Sequence, residues 1–140
     1  MRALGVDYGD ARIGLALSDP LGWTAGGLRT LTRKNPIDVK ACIDCIEGIV
    51  LEHAVSVIVL GLPRNMDGSE GDNCRKVRTF ADKLTTRMPH MQIEFYDERL
   101  STVRATQIFN ETGAKKRDVD KMAAQLILQG YLDAASNKLT

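Results

Sequence analysis

Val55 to Leu60 reads VSVIVL, an almost unbroken run of β-branched and aliphatic residues. A strand with one face in water alternates apolar and polar residues. This run barely does, so it predicts a strand covered on both faces, as in the parallel sheet of an α/β protein. It runs into Gly61-Leu62-Pro63-Arg64-Asn65-Met66-Asp67-Gly68-Ser69, dense in turn formers. Loops at the C-terminal ends of such strands are where α/β proteins place function.

The chain begins with a different pattern. Leu4 and Val6 lead into Asp7, Tyr8-Gly9-Asp10 form a turn cluster, and Ile13 to Leu17 is a second strand-like run. Two such runs around a short Gly/Asp segment predict an antiparallel hairpin. A carboxylate closing a hydrophobic strand is unusual, because buried carboxylates need partners. Asp7 either caps the turn through backbone N–H groups or holds a metal or phosphate site.

Thr24 to Thr32 predicts a third, irregular strand, with Trp23 read as a packing residue. Asn35-Pro36 signals a helix start. Ile37, Ala41, Cys45 and Ile49, widened by Val39, Ile43, Ile46 and Val50, give helical spacing to Glu52. His53 at its end suits the negative pole of the helix dipole. Ser69 with Asp72 three residues on predicts the cap of a helix from Asp72 to Met88, with Val77, Phe80, Ala81 and Leu84 facing inward. Arg75, Lys76, Arg78, Lys83 and Arg87 make the remainder of that helix basic, by default a solvated face. Met91 to Tyr96 alternates as a strand and ends at Asp97-Glu98. Ser101 or Thr102 then caps a helix from Val103 to Asn110. A basic loop, Lys115-Lys116-Arg117, precedes a last helix from Val119 to Ala135 with Met122, Ala123, Leu126, Ile127 and Tyr131 as its stripe.

The predicted order is β-β-β-α-β-α-β-α-α, one mixed-sheet α/β domain over residues 1–140, with the helix-separated strands parallel. At 44% hydrophobic and 26% charged residues the chain can build a core, which excludes a disordered protein. The net charge of +1 excludes a globally basic field, so any nucleic-acid surface has to be local. No run is long enough to span a bilayer, and acidic Asp7 comes too early for a signal peptide. A cytoplasmic location is expected. Cys42-Ile43-Asp44-Cys45 has metal-half-site spacing but lacks a second pair, and its helical context favours core packing.

Three acidic places stand out: Asp7, Asp97-Glu98, and Asp118 with Asp120 opening the last helix. Parallel strands share a C-terminal edge, so these groups can meet there. Converging carboxylates repel unless a cation lies among them. All-oxygen donors suit Mg²⁺ or Mn²⁺ rather than Zn²⁺. Two such ions can stabilise both the attacking and the leaving oxygen of an in-line phosphodiester displacement. Each residue also has a plainer role. Asp97 or Glu98 can pair with Arg99 or Arg104, and Asp118 and Asp120 can be helix-start charges.

GVDYGDARIGLALSD at Gly5 to Asp19, GLPRNMDGSEG at Gly61 to Gly71, YDERLST at Tyr96 to Thr102, and VDKMAAQLILQGYLD at Val119 to Asp133 together resemble the successive motifs of the YqgF family. This bacterial family is described both as Holliday-junction resolvases and as pre-16S ribosomal RNA nucleases. The resemblance spans essentially the whole chain. It implies a ribonuclease-H-like fold, with a five-stranded mixed sheet flanked by helices on both faces. It also implies that Asp7, Glu98 and Asp120 are the catalytic acids holding Mg²⁺ or Mn²⁺, with Asp97 and Asp118 as neighbours.

The same resemblance gives roles to basic residues. Arg12 would meet a phosphate near Asp7. Arg99 would clamp the scissile phosphate or hold a carboxylate. Lys115, Lys116 and Arg117 would contact the nucleic-acid backbone. Arg64, Asn65 and Asp67 are candidates for substrate contact, although turn geometry equally accounts for their loop. The expected activity is metal-dependent endonucleolytic cleavage to a 5′-phosphate and a 3′-hydroxyl. The expected substrate is structured nucleic acid: the 5′ end of pre-16S rRNA first, a four-way DNA junction second. A non-catalytic binding factor and a small phosphotransferase are the competing readings. Ribosomal or transcription components are candidate partners, no membrane is expected, and a monomer or a homodimer would serve.

Overall fold

The computed structural model describes residues 1–32, 39–98 and 116–137, with 116–119 and 137 as backbone only. The expected helix at Val103 to Asn110, its caps, Arg99 and Lys115 lie outside the described residues.

Strands β1 (Ala3–Tyr8), β2 (Arg12–Ser18) and β3 (Ala25–Thr32) come first. Helix α1 (Val39–His53), β4 (Val57–Leu62), α2 (Asp72–Arg87), β5 (Gln92–Asp97) and α3 (Lys116–Asn137) follow. The five strands form one sheet in the order β3-β2-β1-β4-β5. β1 pairs antiparallel with β2, and β2 with β3. β4 pairs parallel with β1 and with β5.

The expected two-sided strand is β4. All six of its residues are buried, because alternate side chains go to opposite covered faces. Ile58, Leu60 and Leu62 pack with Leu4, Val6, Ile13 and Leu15 under α1 and α2. Val57 and Val59 pack with Ala3, Ala16, Ala124 and Leu128 under α3. Each fully buried aliphatic side chain contributes roughly 1.5–3 kcal/mol, so both faces draw the helices in. This is the ribonuclease-H-like arrangement, a mixed five-stranded sheet with helices on both faces.

Several expectations shift. β4 starts two residues later than read and runs through Gly61 and Leu62, since both still pair with β5. Ser69 does not cap α2. The N-cap is Gly71, without a side-chain bond, and the Ser69 hydroxyl instead donates to Asp67 at 2.6 Å. On α1 the inward face is Val39, Cys42, Ile43, Ile46, Ile49 and Val50, while Ala41 is exposed. Trp23 is 63% exposed rather than packed, because the β2–β3 turn carries it past the sheet.

The largest shift is in α3. It begins at Lys116, which makes Lys116 and Arg117 helical rather than loop and puts Asp120 in the second turn. Its buried residues are Ala124, Ile127, Leu128 and Leu132, a stripe rotated from the one expected. The physical reason is close approach. A Cβ on Gly5 would stand 2.7 Å from Leu128 Cβ and 2.9 Å from the Ala124 carbonyl. Glycine lets α3 settle on β1 at Ala124 and Leu128, and Met122 and Tyr131 move to its half-buried flanks.

Candidate active site

Asp7 is the next-to-last residue of β1, on the face that Ala3 and Gly5 present to α3. Its register partner on β2 is Gly14. On the other side Val6 pairs with Leu60, so Asp7 and Gly61 follow as neighbours. The carboxylate thus stands between two glycines. Each gap is filled from elsewhere. A Cβ on Gly14 would run into the Asp120 carbonyl of α3. A Cβ on Gly61 would run into the Glu98 carboxylate and Ile127. Gly14 and Gly61 therefore make room for the two acids that join Asp7. Sequence reading passed over them, although a glycine inside a strand run is a signal for close approach.

Glu98 follows β5 directly, and its N–H donates to the Leu62 carbonyl at 3.3 Å. The ladder therefore continues one residue past the strand and holds Glu98 on the face of Asp7. Asp97 pairs with Leu62 and belongs to the opposite face. Alternation thus separates two adjacent carboxylates that sequence left together.

Glu98 hydrogen-bonds to Asp7. Burial, then the charge of Asp120, push Asp7 up to about 6 against the lowering effect of the Glu98 bond. Burial, then the charges of Asp7 and Asp97, push Glu98 up to about 8. The two acids are therefore held close to sharing a proton, both raised by burial and by each other's neighbourhood of charge.

Arg12 opens β2, and its Nε donates to Asp120 Oδ2 at 2.6 Å. The pair is about three-quarters buried, so the bond resists solvent more than a surface pair does. Arg12 therefore reaches the acidic cluster, where its partner is the Asp120 carboxylate. Asp118 sits two residues earlier on α3, roughly 200° around the helix axis from Asp120.

The loop after β4 is tied to itself. Asn65 Nδ2 donates to Ser69 Oγ at 3.0 Å, and the Ser69 N–H donates to Asp67 Oδ1 at 2.9 Å. Arg64 reaches the Gly68 carbonyl at 3.5 Å and Glu70 at 3.7 Å. Gly68, at φ 87°, makes the turn possible. Arg64 and Asn65 thus shape the loop, whose Pro63 lines a cavity of about 210 Å³ with Glu98, Tyr8 and Lys76. Of the expected basic loop, Lys116 and Arg117 are placed as helical backbone on α3 and Lys115 lies outside the described residues.

Among the described residues no three His, Cys, Asp or Glu side chains are grouped so as to hold a metal ion. The donor chemistry nevertheless fits a hard divalent cation. Asp7 and Glu98 share one proton where a cation would relieve both, and Asp120 adds its charge to Asp7. The two acids hold protons more tightly folded than unfolded, where they titrate near 3.8 and 4.5. The folded state then carries more protons between about pH 4 and 8, so stability falls as pH rises through that window. In EDTA the wild type is expected to melt lower at about pH 8 than at about pH 5, and Asp7→Asn to flatten that difference. Parallel melting profiles for the two proteins would refute the shared-proton site.

A protein-family model described as RuvX, Holliday junction resolvase, matches residues 1–134. The chain belongs to the RuvX family. Relatives named "Putative pre-16S rRNA nuclease" match it end to end. The one from Acetivibrio thermocellus is 45% identical over 99% of this chain and 100% of its own. The one from Clostridium tetani is 47% identical with the same coverage. Two solved structures share the fold of this RuvX member. Thermus thermophilus RuvC in complex with a Holliday junction superposes with TM-score 0.59 at 12% identity, covering 97% of this chain and 96% of that one. The fowlpox virus Holliday junction resolvase gives 0.56 at 10%, over 96% and 99%. Among the described residues of the RuvX chain, no helix is long and apolar enough to cross a membrane.

Proposed function

We propose that this RuvX-family nuclease is a single-domain, cytoplasmic endonuclease that uses Mg²⁺ or Mn²⁺ to cut structured nucleic acid, with the 5′ region of precursor 16S rRNA as its substrate. The observation that carries the reading is the Asp7–Glu98 pair, two acids forced to share a proton on the same face as Asp120. End-to-end relatives named for pre-16S rRNA support the choice of substrate.

Asp7, Glu98 and Asp120 would hold the cation. Once bound, it lowers the pKa of water and offsets charge building on the phosphate. Asp7 is placed by β1 and its glycine neighbours, so its carboxylate needs no reorganisation on substrate binding. A cation held there would displace the proton of the Asp7–Glu98 pair, so its affinity would rise with pH. Arg12 holds Asp120 in position and lies within reach of a phosphate at Asp7. Lys115, Lys116, Arg117 and Arg99 would track the backbone of the substrate, in a salt-sensitive and sequence-independent way.

The test is cleavage of end-labelled RNA spanning the mature 5′ end of 16S, beside a four-way DNA junction, with Mg²⁺, Mn²⁺ or EDTA. Cation-dependent cutting of the RNA with the junction left intact is the expected result. Preference for the junction would move the substrate to branched DNA and call for a two-fold dimer. Binding with no cutting of either would leave a non-catalytic factor.

A further inference from the structure

The basic residues of α2 divide in two. Arg78 forks onto Glu70 at 2.7 and 2.8 Å, and Arg87 binds Asp44 at 2.5 Å and Glu47 at 3.5 Å. These two hold the loop and α1 in place. Arg75, Lys76 and Lys83 instead face a cavity of about 430 Å³ between α2 and the end of β1. Lys76 and Lys83, seven residues and two turns apart, share one helix face, and Arg75 flanks it. Lys83 makes no ion pair with a described residue. Arg75 pairs with Asp72 and Lys76 with Asp10 at 3.2 Å, and all four side chains are at least half exposed. Exposed pairs of this kind are weak, and a phosphate can displace the carboxylate.

This cavity shares Tyr8 and Lys76 with the smaller one that ends at Glu98. The two make a channel from the acidic site along α2. Part of its floor is aromatic: the Tyr8 ring rests on Phe80 with centroids 4.5 Å apart. A row of cations beside an aromatic surface is how proteins hold single-stranded nucleic acid. A base inside a duplex presents no face to such a ring.

We propose that this channel seats an unpaired strand of the substrate next to the scissile phosphate, with phosphates on Lys76 and Lys83 and a base against Tyr8. The assignment rests on the nuclease reading above and extends it to a substrate that is single-stranded beside the cut.

The test is fluorescence anisotropy in EDTA with a fluorescein-labelled single-stranded RNA of about twelve nucleotides, and with its duplex form, across a salt series. Lys76→Ala/Lys83→Ala, two exposed changes, is compared with wild type. Losing two phosphate contacts should lower the slope of log affinity against log salt by about 1.4 and weaken single-strand binding roughly ten- to thirtyfold near 0.1 M salt. Duplex binding should change much less. Unchanged single-strand affinity and slope, with wild type binding well, would overturn the channel and leave the nuclease reading standing. Equal losses on single strand and duplex would overturn the unpaired-strand assignment. If wild type binds neither form of the RNA the channel falls, and the cleavage assay then decides the nuclease reading by itself.

Discussion

Asp7→Asn is expected to abolish cleavage while leaving substrate binding close to wild type. The substitution keeps the shape of the side chain between Gly14 and Gly61 and its bond to Glu98. It removes the anionic oxygen that a cation requires. Loss of an outer partner of a metal ligand already costs about 10–100-fold in affinity or activity, so loss of a central ligand should exceed roughly 100-fold in turnover. Single-turnover cleavage in Mg²⁺, set beside binding in EDTA, separates the two effects. Wild-type turnover by the purified variant would defeat the mechanism. The same change should raise the melting temperature near pH 8 without metal, because one of two crowded acids is gone.

Gly14→Ala is expected to cost the most stability of any single methyl added to the sheet. The collision is with the backbone carbonyl of Asp120, which cannot rotate aside as a side chain can. Helix α3 would have to lift from β2. Overpacking of this kind costs about 1–3 kcal/mol or more, and a chain of this size loses roughly 3–6 °C of melting temperature per kcal/mol. Moving α3 also draws Asp120 away from Asp7, so cleavage should fall with stability. Gly26→Ala is the control, since a Cβ there meets nothing within 4 Å. Urea melts of the two variants decide the matter: equal midpoints would show that α3 does not sit on Gly14. Gly61→Ala should behave differently again. Its Cβ meets the ends of Glu98 and Ile127, which can turn, so activity should suffer more than stability.

Much of the framework was legible because its signals are local. β4 announced itself by apolar residues on both faces, and the first hairpin by a Gly/Asp turn between strand runs. The inward faces of α1 and α2 followed largely from helical spacing, although Ala41 turns out exposed, Cys45 is half-buried, and Ile37 lies outside the described residues. α3 was misread in two ways. Its first two residues, Lys116 and Arg117, are basic and looked like loop. Its buried stripe was set by glycines more than a hundred residues away, which no period in the helix itself records.

The acidic site divides along the same line. Asp7 stood out because a carboxylate closing a hydrophobic strand needs a reason. Asp97 and Glu98 were indistinguishable until pairing with Leu62 sent them to opposite faces. Arg12 and Asp120, 108 residues apart, could be named separately but not as partners. The basic surface of α2 looked uniform, yet Glu70, Asp44 and Glu47 engage two of its arginines and leave Arg75, Lys76 and Lys83 along the channel.

Residue type and short-range period were enough for the kind of fold and the family motifs, and they named Asp7, Glu98 and Asp120 as candidate acids. Only the tertiary structure decided which acids share a face, which glycines admit them and which cations line the way in. Those properties are distances between segments remote in the chain, and close packing of β1, β2, β4 and α3 sets them.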